Sequence, residues 1–94
     1  MIAGFADPAA QAIHEGRNPG KGFPADLVYA ARRKLRMLHA AARLDDMRTP
    51  PGNRLEALSG DWRGYHSVRI NDQWRLCFRW TANGPEDVQI VDYH

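Results

Sequence analysis

Residues 73–80, which read Gln-Trp-Arg-Leu-Cys-Phe-Arg-Trp, decide the fold class of this 94-residue chain. Two tryptophans, a leucine and a phenylalanine alternate with polar or small residues. An apolar–polar period of two is typical of a β-strand with one buried face. We therefore predict a strand over 73–80 that places its large apolar side chains in the core and Arg75 on the opposite face.

The segments on either side of this strand predict an antiparallel meander. Short segments of strand character alternate with turn residues, and Asn71-Asp72 is a plausible two-residue hairpin turn because both residues tolerate positive φ. The predicted strands are 53–58, 65–70, 73–80 and 87–93, and the turns between them are 59–61, 71–72 and 83–85.

The N-terminal half of the chain predicts helices. Asp7 suits an N-cap and Pro8 the first helical position, so a first helix is expected over 8–15. Apolar residues spaced by three or four predict a main helix over about 24–42, with a short helical turn at 44–47. With a short strand over 1–5, the chain predicts one α+β domain over 1–94: two helices packed on a mainly antiparallel sheet of about four to five strands.

Composition excludes several classes of chemistry. Only Cys77 is a cysteine, so an internal disulfide and a cysteine-based zinc site are excluded, and the histidines lack metal-ligand spacing. We therefore expect no metal and no cofactor. Neither a signal peptide nor an apolar run of membrane-spanning length is present, which favours a cytoplasmic protein. Of the 13 cationic residues, eleven are arginine, which suits phosphate binding but also results from a GC-rich genome.

Each candidate residue has a functional interpretation and at least one purely structural one. Arg75 on a rigid strand would be a fixed phosphate clamp, or part of a solvated face, or paired with Asp87 or Asp92. The last residues, Asp92-Tyr93-His94, could transfer protons or form a frayed tail.

Two further groups are polar or basic. Ser59 and Arg63 lie around one predicted turn, where a plain polar turn is the simpler explanation. Arg32 and Arg36 follow helical spacing on a basic flank of the main helix, which is either solvated or an RNA contact.

Three blocks of the sequence resemble one known family, the HigB-type toxins of the RelE/ParE superfamily. Residues 53–61 resemble its leucine-rich strand and turn, 64–78 its central hairpin, and 88–94 its ending at Asp-Tyr-His. The resemblance implies a small RelE-like fold, a type II toxin–antitoxin system and ribosome-dependent cleavage of mRNA in the A site of the 70S ribosome. It also implies a HigA-type antitoxin whose helix-turn-helix domain binds operator DNA.

The resemblance also implies site residues. It places catalysis at Arg75, Asp92, Tyr93 and His94, with Gln73 at a position where the family often has a polar amide. RNA supplies its own 2′-OH nucleophile, so proton transfer and phosphate stabilisation suffice for cleavage without a metal. Ser59 departs from the lysine that these proteins often carry in the turn, so that charge is missing or is supplied by Arg63 or the ribosome.

Two other functions remain open at this point. A ParE-like inhibitor that binds DNA gyrase would share the fold but would not need the Arg75 and Asp92-Tyr93-His94 set. A catalytically weak protein that acts only as a co-repressor with its antitoxin is compatible with Ser59.

Overall fold

The computed structural model describes residues 1–92; Tyr93 and His94 lie outside the described residues. It confirms the predicted α+β fold, with two helices packed on an antiparallel sheet of four strands. The helices are α1 (Pro8–His14) and α2 (Leu27–Ala40), and the strands are β1 (Glu56–Ala57), β2 (Tyr65–Arg69), β3 (Trp74–Thr81) and β4 (Gly84–Asp92). Short 3₁₀ helices occupy Leu44–Arg48, Pro51–Asn53 and Gly60–Trp62.

The sheet has the order β1-β2-β3-β4, so each strand pairs with its sequence neighbour. Ser67 of β2 and Gln89 of β4 both lie opposite Cys77 of β3. The β3–β4 register shifts between Cys77 and Arg79, and Asp87 has a φ of 52° at this irregularity. Directly opposed residues share a face, so Cys77 and Arg75 lie on one face, and Leu76 and Phe78 on the other.

The core lies between the helices and the Leu76 face of the sheet. Leu35 and Leu38 of α2 and Ile13 of α1 are fully buried with Leu76 and Phe78. Complete burial of each such side chain stabilises the fold by about 1.5–3 kcal/mol relative to exposure. The Arg75 face of the sheet is therefore the one that points away from the helices.

Asp7 confirms the predicted N-cap and also fixes α1 to the sheet. Its Oδ1 accepts the backbone N–H of Ala9 at 2.9 Å, and its Oδ2 accepts the backbone N–H of Ile90 at 3.1 Å. Pro8 occupies the start of the helix as expected. One short side chain thus both caps α1 and holds it against β4.

Several predicted boundaries were wrong. The predicted strand over 1–5 is an isolated parallel bridge between Phe5 and Val88. The predicted strand over 53–58 shortens to Glu56–Ala57, because Pro51–Asn53 forms a 3₁₀ helix. The main helix begins at Leu27, three residues after Pro24, and ends at Ala40.

The hairpin between β2 and β3 exists, but it does not use positive φ at Asn71 or Asp72. Instead, the Asn71 side-chain oxygen accepts the backbone N–H groups of Gln73 and Trp74 at 2.9 and 2.8 Å. An asparagine side chain commonly replaces a backbone acceptor in this way. The turn residue was identified correctly and its mechanism was not.

Two partly buried histidines predict the pH dependence of stability. Burial lowers the pKa of His14 and of His66 below the usual 6.5, and His39 adds to the effect at His14. The unfolded chain therefore binds protons at a higher pH than the folded one. We expect the free energy of unfolding to fall as the pH drops through about 6.5 and below, because the histidines of the unfolded chain gain protons first. Urea unfolding over this range should show a smaller decrease for His14→Gln; an unchanged decrease would contradict this assignment.

Candidate functional site

Arg75 is held rigidly on the face of the sheet that points away from the helices. Its Nε donates to Ser67 Oγ at 2.8 Å, and its Nη2 donates to the backbone oxygen of Arg54 at 2.7 Å. A Glu56 carboxylate oxygen lies 3.9 Å from Nη2. The Arg75 side chain is only 11% exposed, whereas that of Glu56 is 49% exposed. Arg75 is therefore a fixed cation that already has an anionic group beside it.

Cys77 lies next to Arg75 on the same face but is not suited to act as a nucleophile. Its side chain is buried, and burial raises the pKa of its thiol to about 11, although the charge of Arg75 acts in the opposite direction. The thiolate is the reactive form of cysteine, and it is scarce at neutral pH when the pKa is this high.

Gln73 and Asp92 meet at the hairpin end of the sheet. The Gln73 side-chain nitrogen donates to Asp92 Oδ2 at 3.1 Å. Asp92 lies opposite Trp74, and Arg75 lies opposite Val91, so Asp92 and Arg75 are one step apart on opposite faces of the sheet. The predicted catalytic residues Tyr93 and His94 lie outside the described residues.

Ser59 and Arg63 lie at the other end of the sheet. They flank the 3₁₀ helix Gly60–Trp62, just before β2 begins. Tyr65, the first residue of β2, pairs with Arg79, four residues along β3 from Arg75. Four strand residues span about 13 Å. The structure therefore does not gather Ser59 and Arg63 around Arg75.

Arg32 and Arg36 lie on a different surface, the exposed side of α2. With Tyr29 and Arg33 they line a small open hollow, and Tyr29 is 72% exposed. Arg32 is anchored there, because its Nε donates to the backbone oxygen of Ile13 at 3.0 Å. Since α2 covers the Leu76 face of the sheet, this hollow points away from the Arg75 face.

Sequence reasoning missed Tyr29 and Arg33 as members of this hollow. Positions 29, 32, 33 and 36 follow the spacing of three and four that brings side chains together on a helix. The signal was therefore present in the sequence. We call this set of four residues the α2 hollow.

A second cluster that sequence reasoning missed surrounds Asp87. Arg79 Nε donates to Asp87 Oδ2 at 2.8 Å, and the Tyr65 hydroxyl donates to the same oxygen at 3.2 Å. The hydrogen bond from Arg79 is the main reason that the pKa of Asp87 lies below its usual value. The structure thus assigns Asp87 to Arg79, although the sequence offered it as a partner for Arg75.

Residues 1–92 contain neither a cluster of metal-binding side chains nor a helix that could span a membrane. Among residues 1–92, no group of three or more histidine, cysteine, aspartate or glutamate side chains is arranged to hold a metal ion. No helix in this part of the chain has the length and hydrophobicity needed to cross a membrane.

Comparisons with known proteins identify a family. A model of the HigB-like toxins, described as RelE-like toxins of type II toxin–antitoxin system HigB, matches residues 4–94. The chain is 39% identical over 80 residues to Toxin HigB-1 of Vibrio cholerae serotype O1, covering 85% of this chain and 84% of that protein. It is 37% identical over 79 residues to an uncharacterized protein of Haemophilus influenzae, covering 84% and 78% of the two chains.

The fold has a solved counterpart. The crystal structure of YafQ from E. coli strain BL21(DE3) superposes with a TM-score of 0.60, covering 98% of this chain and 93% of that one. Their sequences are 12% identical, so this likeness concerns the fold alone.

Proposed function

Because the chain belongs to the family of RelE-like HigB toxins of type II toxin–antitoxin systems, we propose that it is a ribosome-dependent endoribonuclease. In this proposal it cuts mRNA presented in the A site of the 70S ribosome and so inhibits translation in the cytoplasm. The reaction uses no metal or other cofactor.

The fixed guanidinium of Arg75 is the observation that carries this proposal. Its hydrogen bonds to Ser67 and to the Arg54 carbonyl hold it in place before substrate arrives. A Glu56 carboxylate oxygen lies 3.9 Å from Arg75 Nη2 and forms a loose ion pair with it. The carboxylate thus lies where an anionic substrate group could bind. A phosphate oxygen would replace this carboxylate at the guanidinium. Donors that are already oriented toward developing negative charge are among the largest contributions to catalysis.

The proposed reaction is an internal phosphoryl transfer within RNA. The 2′-oxygen attacks the adjacent phosphorus, and the bond from phosphorus to the 5′-oxygen of the next nucleotide breaks. His94 takes the proton from the 2′-OH or delivers one to the leaving 5′-oxygen, and water or Tyr93 exchanges the other proton. Tyr93 can instead stack on a base. Arg75 stabilises the phosphate charge. Asp92, whose carboxylate accepts a hydrogen bond from Gln73, orients His94.

The proposal also specifies partners. The family is a type II toxin–antitoxin family, so an antitoxin is the expected partner, and we propose that it is of the HigA type with a helix-turn-helix domain. The toxin would then reach operator DNA through that antitoxin. Ser59 and Arg63 would contact the RNA at a distance from Arg75, at the far end of the same sheet.

The α2 hollow provides a second proposed RNA contact. Its three arginines offer planar donors to phosphates, and the exposed ring of Tyr29 offers a stacking surface. Because the hollow points away from the Arg75 face, it would bind a different RNA segment from the one that is cut. We propose that Arg32, Arg33 and Arg36 contact ribosomal RNA.

The central test is to map the 5′ ends of cellular mRNA after a short pulse of expression. Discrete new ends within translated frames support the proposal. Intact mRNA accompanied by double-strand DNA breaks would instead indicate a gyrase inhibitor and overturn it. A second arm compares purified mRNA with the same mRNA on ribosomes. Efficient cutting of free RNA at equal enzyme concentration would show that the ribosome is not needed to align the substrate.

Charge reversal in the α2 hollow should weaken ribosome binding. We expect Arg33→Glu with Arg36→Glu to lower the affinity for ribosomes at low salt and to reduce the slope of log affinity against log salt by about 2. The matched control is Arg43→Glu with Arg48→Glu, which changes the net charge equally at exposed residues outside the hollow. Equal effects of the two double variants on ribosome binding would show that only overall charge matters. If Arg33→Glu with Arg36→Glu weakens binding to the antitoxin but not to ribosomes, the hollow is a contact surface for a protein and not for RNA.

A further inference from the structure

Lys34 is a buried lysine in the middle of α2. It is only 8% exposed, on the side of the helix that carries the core residues Ala31 and Leu38. Its Nζ donates to Asn53 Oδ1 at 2.5 Å, and no salt bridge joins Lys34 to a carboxylate within residues 1–92. Burial, followed by the charges of Arg33 and Arg69, lowers the pKa of Lys34. Burying an apolar residue on this side of the helix would cost less desolvation free energy than burying a lysine. The hydrogen bond to Asn53 therefore offsets a cost that the fold alone does not require.

Asn53 uses its whole side-chain amide in the interior. Besides accepting from Lys34, it donates to the backbone oxygens of Met47 and Thr49 at 3.1 and 3.4 Å. Asn53 itself is fully buried. It therefore fixes the end of the 47–53 segment to α2.

The next residue, Arg54, has an unusual backbone conformation. Its φ of 47° and ψ of 56° lie in the left-handed region, which is disfavoured for a residue with a Cβ atom. Such conformations persist where surrounding contacts determine them, and they cluster at functional sites. The carbonyl of this same residue accepts the hydrogen bond from Arg75 Nη2. The left-handed conformation of Arg54 thus belongs to the same residue whose backbone oxygen accepts from the candidate catalytic arginine.

We propose that Lys34 is a positioning residue for Arg75, acting through Asn53 and the carbonyl of Arg54. Lys34 holds Asn53, Asn53 fixes the approach to the left-handed residue, and the carbonyl of Arg54 orients the guanidinium on the other face of the sheet. The importance of this link for cleavage rests on the proposed function. The predicted effect of Lys34 on the order of the Arg75 side chain does not depend on the proposed function.

The structural part can be tested by NMR, without any activity, from hydrogen exchange of arginine Nε–H groups. Arg75 Nε–H bonds to Ser67, Arg79 Nε–H to Asp87, and Arg32 Nε–H to Ile13. We expect Lys34→Met to speed exchange at Arg75 at least about tenfold while Arg79 and Arg32 keep their wild-type rates. Unchanged exchange at Arg75, or equal acceleration at all three arginines, overturns the proposal. Equal acceleration would mean that Lys34 stabilises only the whole fold.

The kinetic part uses cleavage of mRNA on ribosomes. A misplaced catalytic group can cost up to about 10²-fold in rate, so we expect Lys34→Met to lower kcat by about 10- to 10²-fold with little change in KM. In an Arg75→Ala background, Lys34→Met should have no further effect. Additive effects of the two changes overturn the proposal even when the wild-type protein cleaves mRNA. If the wild-type protein does not cleave mRNA, the proposed function fails and the NMR result alone decides the role of Lys34.

A second variant covers the case in which Lys34→Met does not fold. Asn53→Ala breaks the same link from the other side, because it removes the side-chain oxygen that accepts from Lys34 Nζ. It should also speed exchange at Arg75 selectively. Ser67→Ala serves as the positive control, because it removes the acceptor of Arg75 Nε–H directly. Normal exchange at Arg75 in folded Asn53→Ala overturns the proposal.

Discussion

Replacing Arg75 by alanine is expected to lower the rate of mRNA cleavage on ribosomes by about 10²–10³, the usual loss when one oriented donor to developing charge is removed. The reason is geometric as well as electrostatic, because Ser67 and the Arg54 carbonyl fix the guanidinium in one orientation. Arg75→Lys should restore little of the rate, since an ammonium cannot make both hydrogen bonds of the planar group. Single-turnover cleavage measured at saturating ribosomes tests this expectation directly.

Arg79 offers a matched control for Arg75. It lies on the same strand, its Nε is also hydrogen bonded, and its partner is the carboxylate of Asp87. Arg79→Ala should therefore reduce stability by a small amount, because the pair is partly exposed, and should leave the rate of cleavage near that of the wild type. Equal loss of activity in both variants, or full rescue by Arg75→Lys, would mean that Arg75 only contributes to a general basic field.

The elements that the sequence predicted correctly are those set by local patterns. The alternation over 73–80 depends only on which side chains face the core, and β3 follows it closely. The Asp7-Pro8 pair predicts a helix start because the cap and the first turn lie within three residues of each other. The resemblance over residues 53–61, 64–78 and 88–94 supplied the family, which the comparisons then confirmed.

The contacts around Arg75 could not be predicted in this way. Its partners lie at positions 54, 56 and 67, and they meet only because β1 and β2 pair in one particular register. The Arg54 backbone has a left-handed conformation. Asparagine or glycine at this position would have predicted such a conformation, but arginine does not. Glu56 lies beside Arg75 because it pairs with Ser67 across the same two strands, and this register was not predictable from the local pattern.

Lys34 illustrates a second limit of sequence patterns. Residues 31, 35 and 38 predict a buried stripe on α2, and a lysine beside them is expected to extend into solvent. The structure instead buries its amine against Asn53, 19 residues along the chain. This pairing could be predicted only if the positions of the 3₁₀ helices between α2 and β1 were already known.

Removing His94 is expected to lower the rate of mRNA cleavage at least as strongly as replacing Arg75 does. A general acid or base typically contributes about 10²–10⁴ in rate, and histidine is the side chain best suited to both roles near neutral pH. Deletion of His94, or His94→Ala, should therefore sharply reduce toxicity and mRNA cleavage. His94→Gln should not restore them, because an amide does not exchange protons in this pH range. The measurement is cleavage on ribosomes and growth arrest at matched soluble expression.

The fold and the antitoxin complex provide the controls for this prediction. Among residues 1–92, the fully buried apolar side chains, such as Leu76, Phe78 and Val88, all precede position 89, so we expect the truncated chain to unfold at the same temperature as the full chain. Antitoxin binding should likewise be unchanged. Added imidazole should restore part of the activity of His94→Ala, and the rescue should follow the titration of imidazole, because a free base can then replace the missing ring. A truncated protein that keeps full activity would show that proton transfer belongs to Tyr93, Glu56 or the ribosome.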